Sequence, residues 1–306
     1  MMKAVRYDHF GDVDVLYLAE LERPVPGPGQ VLVEVRATAV NPGEGVIRLG
    51  LLADKFPSTF PSGQGSDFAG VVVATGPDAG SFEPGDEVFG YTHDRAGHAE
   101  FVLAPIDAVV AKPQALSWNV AGSLYVAGTA AYASVEAVGP GPGDVVVVSG
   151  ATGGVGSIAG QLARHRGATV IGLASERNHG WLTDHGIVPV AYGEGEAARI
   201  QAAADGPITA FIDTYGHGYV DLALDLGVAA ERINTVIDFA AAGRHRVNAK
   251  GNESATSPEI LAELGDLATK GVIEVPISAV YPLSEVARAF QEVEKRHTLG
   301  KIVLQP

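Results

Sequence analysis

The stretch Gly150-Ala151-Thr152-Gly153-Gly154-Val155-Gly156 carries the strongest fold signal in this chain. It follows Val145-Val146-Val147-Val148, a fully apolar run of the kind a buried parallel strand shows. After it, Val155, Ile158, Ala159, Leu162 and Ala163 recur at helical spacing on one face. Strand, glycine turn and helix in that order are the context a dinucleotide fingerprint requires. The usual G-x-G-x-x-G has Ala151 in its first slot, then Gly153 and Gly156, and Gly150 and Gly154 add clearance. A pyrophosphate must approach the backbone closely, so a Cβ would obstruct it. The free N–H groups and the dipole of the helix start then face the anion. An ordinary glycine-rich strand–helix turn shares the local pattern, so the flanking elements must decide between the two.

Working downstream, strands and helices alternate. Thr169-Val170-Ile171-Gly172-Leu173 is a second strand and Ile187-Val188-Pro189-Val190 a short third, whose proline points to an edge. Ile208–Ile212 is a fourth and Arg232–Ile237 a fifth. This alternation predicts an α/β fold with a doubly wound parallel sheet, and it favours nucleotide binding over the ordinary turn. Upstream, Ala-rich Trp118–Val138 fits a helix. Before it the chain reads as β-rich, with strands over Gln30–Ala37 (alternating, hence half-buried), Gly70–Ala74, Gly85–Gly90 and Ala99–Leu103. Their Gly and Pro punctuation predicts a compact barrel-like domain. At the far end Leu283, Val286, Ala287, Phe290 and Val293 form one helix face, and Lys301-Ile302-Val303-Leu304 reads as a final strand that pairs back into the N-terminal domain.

The end of the second strand bears on the cofactor. Sites that prefer NAD place Asp or Glu about 20 residues on, against the ribose hydroxyls. Here the strand runs into Ser175-Glu176-Arg177. Ser175 stands where the acid would be, and Arg177 can pair with a 2′-phosphate. A one-residue shift would bring Glu176 there instead. The reading favours NADPH over NADH.

Composition narrows the partners. The chain has 306 residues, 46% of them hydrophobic, and a formal net charge of −15. That charge repels phosphate backbones and anionic lipid, so neither nucleic acid nor a membrane surface is expected as partner. A phosphate-bearing cofactor needs local dipoles and cations acting against the global field. With no cysteine, disulfides, thiolate metal sites and a Cys nucleophile are excluded. The N-terminus lacks a signal-peptide pattern and no uncharged apolar run approaches ~18 residues. A soluble cytoplasmic protein is expected.

Six segments in order resemble the quinone oxidoreductase branch of the medium-chain dehydrogenases/reductases, a zinc-independent group. They are Val40-Asn41-Pro42 with Ile47-Arg48; Pro61-Ser62-Gly63 running to Asp67-Phe68-Ala69-Gly70-Val71-Val72; Pro84-Gly85-Asp86-Glu87-Val88; Gly128-Thr129-Ala130-Ala131-Tyr132; the nucleotide turn; and Gly300-Lys301-Ile302-Val303-Leu304. The resemblance covers nearly the whole chain. It implies a GroES-like catalytic domain over residues 1–120, completed by 276–306, and a Rossmann NADP-binding domain over 121–275. It also implies a cofactor between the two and a homodimer. By position it places Asn41 near the nicotinamide ribose and Thr129 at the nicotinamide end. Gly150, Gly153, Gly154 and Val155 fall at the pyrophosphate, Ser175, Arg177 and Tyr192 around the adenosine phosphate, and Phe239 in the nicotinamide pocket.

Two departures stand out: no Tyr follows the Asn-Pro segment, where Glu44, Val46, Leu51 and Leu52 stand instead, and the chain is short between Asn234 and Ser257. Zinc-dependent relatives use a catalytic Cys and His; here the corresponding motif reads Gly65-Ser66-Asp67-Phe68-Ala69-Gly70. His93, Asp94 and His98 could bind a metal on paper, but they lack a partner motif, and no metal is expected. Without a Lewis acid, electron-poor acceptors such as quinones and α,β-unsaturated carbonyls suit hydride transfer best. Glu44, Leu52, Tyr91 and His93 are candidates for lining the substrate region, and no residue is assigned as catalytic acid. A non-catalytic NADPH-binding module and a zinc-free alcohol or acyl-thioester reductase stay open as alternatives.

Overall fold

The computed structural model describes residues 1–306. The chain divides into two units, one of residues 1–126, 257–269 and 277–306, the other of residues 127–256 and 270–276. Residues 257–269 thus pack with the first unit although they fall inside the 121–275 stretch.

In the first unit the strands are Met2–Tyr7 (β1), Tyr17–Leu21 (β2), Gln30–Val40 (β3), Ser62–Gly63 (β4), Asp67–Thr75 (β5), Glu87–Tyr91 (β6), Phe101–Pro105 (β7) and Val109–Ala111 (β8). Helix α1 (Pro42–Arg48) follows β3, and the short α2 (Trp118–Ala121) follows β8. β1 pairs antiparallel with β2 and β4. β3 is the spine of a larger sheet and pairs antiparallel with β5 and β7. The half-buried alternation expected of it holds, with Val31, Val33, Val35 and Ala37 buried and Glu34 and Arg36 less so; Leu32 alone departs, being buried as well. Its pairing with β5 slips in register twice, between Leu32 and Val33 and between Val35 and Ala37. The single helix expected over Trp118–Val138 is also interrupted. Gly122 passes so close to β3 that a Cβ would stand 2.4 Å from the Ala37 carbonyl oxygen. α2 ends there and α3 (Leu124–Val138) begins two residues on.

The second unit holds β9 (Val145–Val148), α4 (Gly154–His165), β10 (Thr169–Ala174), α5 (His179–Asp184), β11 (Val188–Ala191), α6 (Glu196–Ala203), β12 (Ala210–Asp213), α7 (Tyr219–Asp225), β13 (Ile233–Thr235) and α8 (Phe239–His245). Five strands form one sheet in the order β11-β10-β9-β12-β13, parallel throughout. β9 lies at its centre, with all four valines at most 6% exposed, because both faces are covered. β11, with its Pro189, is an edge strand and pairs only β10. β13 is three residues long rather than six. The Val236 N–H still makes a ladder bond to the Asp213 carbonyl, after which the Thr235 hydroxyl oxygen accepts the N–H groups of Ile237 and Asp238 and bends the chain out of the sheet.

The C-terminal segment returns to the first unit. α9 (Pro258–Thr269) packs on β8, with Gly265 fitting against the Phe89 ring. β14 (Ile277–Pro282), α10 (Val286–Glu294) and β15 (Lys301–Gln305) complete the order β14-β15-β3-β5-β6-β8, and β15 pairs antiparallel with β3. The buried face of this segment is Leu283, Val286, Ala289, Phe290 and Val293. Ala289, not Ala287, lies on it: a 3-10 turn over Leu283–Glu285 precedes the helix, so the face counts from Val286 at i+3, i+4 and i+7. No helix is long and apolar enough to cross a membrane.

Candidate cofactor site

The nucleotide turn leaves β9 at Ser149 and enters α4 at Gly154. Gly150 adopts a left-handed backbone, φ 57°, where a side chain is strained. A Cβ on Gly156 would stand 2.2 Å from the Gly150 carbonyl oxygen, so the helix start can seat on the turn only without side chains there. Within α4 the hydrogen-bond ladder opens with Ser157 N–H donating to the Gly153 carbonyl, 3.0 Å. Gly153 is the N-cap and has no side-chain oxygen to offer. The helix therefore leaves the first-turn N–H groups of Gly154, Val155 and Gly156 for an external acceptor, on the positive end of a 12-residue dipole. The site thus fits a dinucleotide pyrophosphate.

The turn is tied to the end of β10. Ser175 there is half-buried, while Glu176 and Arg177 are exposed in the 3-10 turn that follows. Asn178 Nδ2 donates to Thr152 Oγ1 at 3.2 Å, linking this turn to the glycine turn. Tyr192 follows β11 and Phe239 opens α8, and both are exposed, at 47% and 54%. Asp238 caps α8 by accepting the Ala241 N–H at 2.9 Å, which fixes the helix start that carries Phe239. Thr129 lies on α3 with no exposure.

In the first unit Asn41 and Glu44 face inward rather than outward. They form a capping box at the start of α1: Glu44 Oε2 accepts the Asn41 N–H at 3.1 Å. The Asn41 amide nitrogen donates to Glu44 Oε1 at 3.0 Å and to Asp67 Oδ2 at 2.7 Å, and its oxygen accepts from Lys301 Nζ. Asn41 is 4% exposed. Both amide hydrogens are committed, so the side chain has none left for a ribose. Glu44 Oε1 also accepts the Ser66 N–H; its oxygens cap and brace, and the geometry gives it no proton-donor role. Burial pushes the Asp67 carboxyl up, Glu44 adds to this, and Lys301 with the bonds from Asn41 and Val126 opposes it. Burial likewise pulls the Lys301 ammonium down against the pull of Asp67 and Glu44. Nothing marked this cluster in the sequence beyond the capping pattern Asn41…Glu44, because Asp67 and Lys301 are brought in by β5 and β15.

The remaining candidates are dispersed. Tyr91 is buried, stacked on Tyr125 at 4.1 Å, and its hydroxyl donates to the Asp107 carbonyl. Burial pushes its phenol up, so it stays protonated through the neutral range. His93 is exposed and meets Tyr91 edge-on at 5.2 Å. Leu52 is half-buried in the turn after α1. His98 is buried with Nε2 3.0 Å from the Ala39 carbonyl.

Two family models match the chain: an alcohol dehydrogenase GroES-like domain over residues 27–137 and a zinc-binding dehydrogenase domain over residues 206–304. A quinone oxidoreductase of Mus musculus is 38% identical over 176 residues, 57% of this chain and 53% of its own length; the match thus spans about half of that relative. Among solved structures, the quinone oxidoreductase of Coxiella burnetii superposes with TM-score 0.89 at 32% identity, covering 100% of this chain and 99% of its own. A mycobacterial protein solved in complex with NADPH gives TM-score 0.84 at 27% identity, with both chains covered in full. The zinc in one model's description does not suit the donors present. No three His, Cys, Asp or Glu side chains are placed to hold a metal, and Asp67 and Glu44 are bound to Asn41 and the backbone beside the Lys301 ammonium. The two matched domains and the full-length structural likeness agree: this chain belongs to the quinone oxidoreductase branch of the medium-chain dehydrogenase/reductase superfamily.

Proposed function

We propose that this protein binds NADPH and transfers its hydride to a quinone or an α,β-unsaturated carbonyl. The observation that carries the reading is the glycine turn, which presents the uncapped first-turn N–H groups of a 12-residue helix where a side chain would collide with backbone. Those N–H groups hold the pyrophosphate. Ser175 leaves room at the end of β10 where a carboxylate would repel a 2′-phosphate, and Arg177, exposed two residues on, pairs with it. Glu176 shares that turn but is exposed, free to orient into solvent. The bound cofactor supplies the hydride.

The acceptor class follows from what the side chains lack. Glu44 is committed to the Asn41 and Ser66 contacts, and no cluster of His, Asp or Glu side chains is placed to hold a Lewis-acid metal. A simple aldehyde gains little from such surroundings. A quinone or enone is already electron-poor, and orientation against the cofactor supplies most of what it needs. The test is a steady-state screen of the purified protein with NADPH and NADH against a quinone, an alkenal and an aldehyde, read by loss of nicotinamide absorbance. Turnover with the quinone or alkenal and a lower KM for NADPH is the expected result. Tight NADPH binding without turnover on any acceptor would make the protein a binding module instead.

A further inference from the structure

The C-terminal ends of three strands meet on one buried carboxylate. Asp213, the last residue of β12, has no solvent exposure. Its Oδ1 accepts the Ser149 hydroxyl at 2.7 Å, the Tyr215 N–H at 3.0 Å and the Gly216 N–H at 2.9 Å. Its Oδ2 accepts the Thr235 hydroxyl at 2.8 Å. Four neutral donors thus surround one anion, and each sits at the root of a loop.

The first root is Ser149, which precedes Gly150. Ser149 is held a second and third time by Thr214, whose N–H donates to Ser149 Oγ at 2.9 Å and whose hydroxyl donates to the Ser149 carbonyl at 2.7 Å. The second is the loop after β12, where Gly216, His217 and Gly218 are consecutively left-handed, at φ 82°, 59° and 90°. The N–H groups of Tyr215 and Gly216, folded back onto the carboxylate, fix how that costly bend begins. The third is Thr235, which accepts the N–H groups of Ile237 and Asp238 at 3.3 and 3.0 Å. That arm reaches the start of α8, where Phe239 stands.

We propose that Asp213 is a positioning residue for the cofactor. It aligns the pyrophosphate turn through Ser149 and the nicotinamide-side loop through Thr235. The inference rests on the NADPH reading above. An amide cannot replace the carboxylate. An Asn side chain would turn an N–H toward Thr235 or toward the Ser149 side, and Thr235 Oγ already accepts two N–H groups, so at least one arm must open.

Three variants separate the arms. Asp213→Asn is expected either to raise the Kd for NADPH or to lower kcat about tenfold or more, according to which arm opens, since one lost hydrogen bond to a charged group carries that much. The KM for the acceptor at saturating NADPH should stay within about twofold of the wild-type value on the same scale. Ser149→Ala should raise the NADPH Kd with little change in kcat, and Thr235→Val should lower kcat with little change in that Kd. A merely structural residue would lower stability without this split. Folded Asp213→Asn protein with both the NADPH Kd and the kcat of wild type overturns the inference, as do Ser149→Ala and Thr235→Val behaving alike. If Asp213→Asn does not fold, the other two variants decide alone. Wild-type protein that fails to bind NADPH overturns the cofactor reading and this inference with it, whereas wild-type binding beside unaffected variants overturns this inference only.

Discussion

A single cation distinguishes the two nicotinamide dinucleotides at the end of β10 in the proposed site. Hydrogen bonds between a guanidinium and a phosphate contribute about 1.5–3 kcal/mol, and only NADPH carries that phosphate. Arg177→Ala is therefore expected to weaken NADPH binding about 10- to 100-fold and leave NADH nearly unchanged, as measured by fluorescence titration of both. Equal losses for the two cofactors would remove Arg177 from this role. At the same scale the sequence was legible where chemistry is local. The glycines of the turn show their function by spacing, because the helix they start is adjacent. Asn41 was legible only in part. An Asn followed three residues later by Glu before apolar residues is a capping signature, and that signature accounts for the Glu44 contact to the Asn41 N–H. Its further partners lie 26 and 260 residues away, so no local pattern announces them. Asp213 was hidden for the same reason: in sequence it is only the polar end of an apolar strand.

Strands are fixed to one another by a second carboxylate at the opposite end of the parallel sheet. Asp144, just before β9, accepts the Thr209 hydroxyl at 2.7 Å, the Gly141 N–H at 2.8 Å and Arg232 at 2.8 Å. Burial pushes its carboxyl up, but the Thr209, Gly141 and Arg232 contacts outweigh this and hold it below 3.8. A depressed carboxyl stabilises the fold above its unfolded value and loses that contribution as pH falls through the folded one. Asp144→Asn should thus cost about 1–2 kcal/mol near neutral pH, a figure discounted for partial exposure. The gap to wild type should close as pH drops below 3.8. Urea unfolding at several pH values reads this directly; a gap that stays constant down to acid would contradict the assignment. Element boundaries were less legible than element types. β9 declared itself by its apolar run and α4 by its period, whereas β13 ends early because the Thr235 hydroxyl takes the N–H groups of Ile237 and Asp238. The α2–α3 break had one visible sign, Gly122 within an Ala-rich run, and its cause is the backbone of β3 pressing from outside.

Across the whole molecule charge acts at two ranges. At short range Lys301 on β15 is the buried cation beside Asp67 and Glu44. Lys301→Met strands two carboxylates without it and should cost about 3–5 kcal/mol. Adding Asp67→Asn to that variant should recover part of the loss, and a double variant no more stable than the single would dismiss the pairing. At long range the net charge of −15 opposes every anionic ligand, NADPH included. The local attraction of the α4 N–H groups and Arg177 acts only near contact, while the global repulsion reaches out to about 30 Å at 0.01 M salt and about 8 Å at 0.15 M. Raising salt between those limits should therefore speed NADPH association, because it removes the repulsion that the cofactor meets first. The dissociation rate should rise as well, since the guanidinium–phosphate contact weakens in salt, so the net affinity changes less than either rate. Stopped-flow mixing across that range separates the two. An association rate that falls with added salt would mean that a local positive field, stronger than the turn and Arg177 provide, steers the cofactor in.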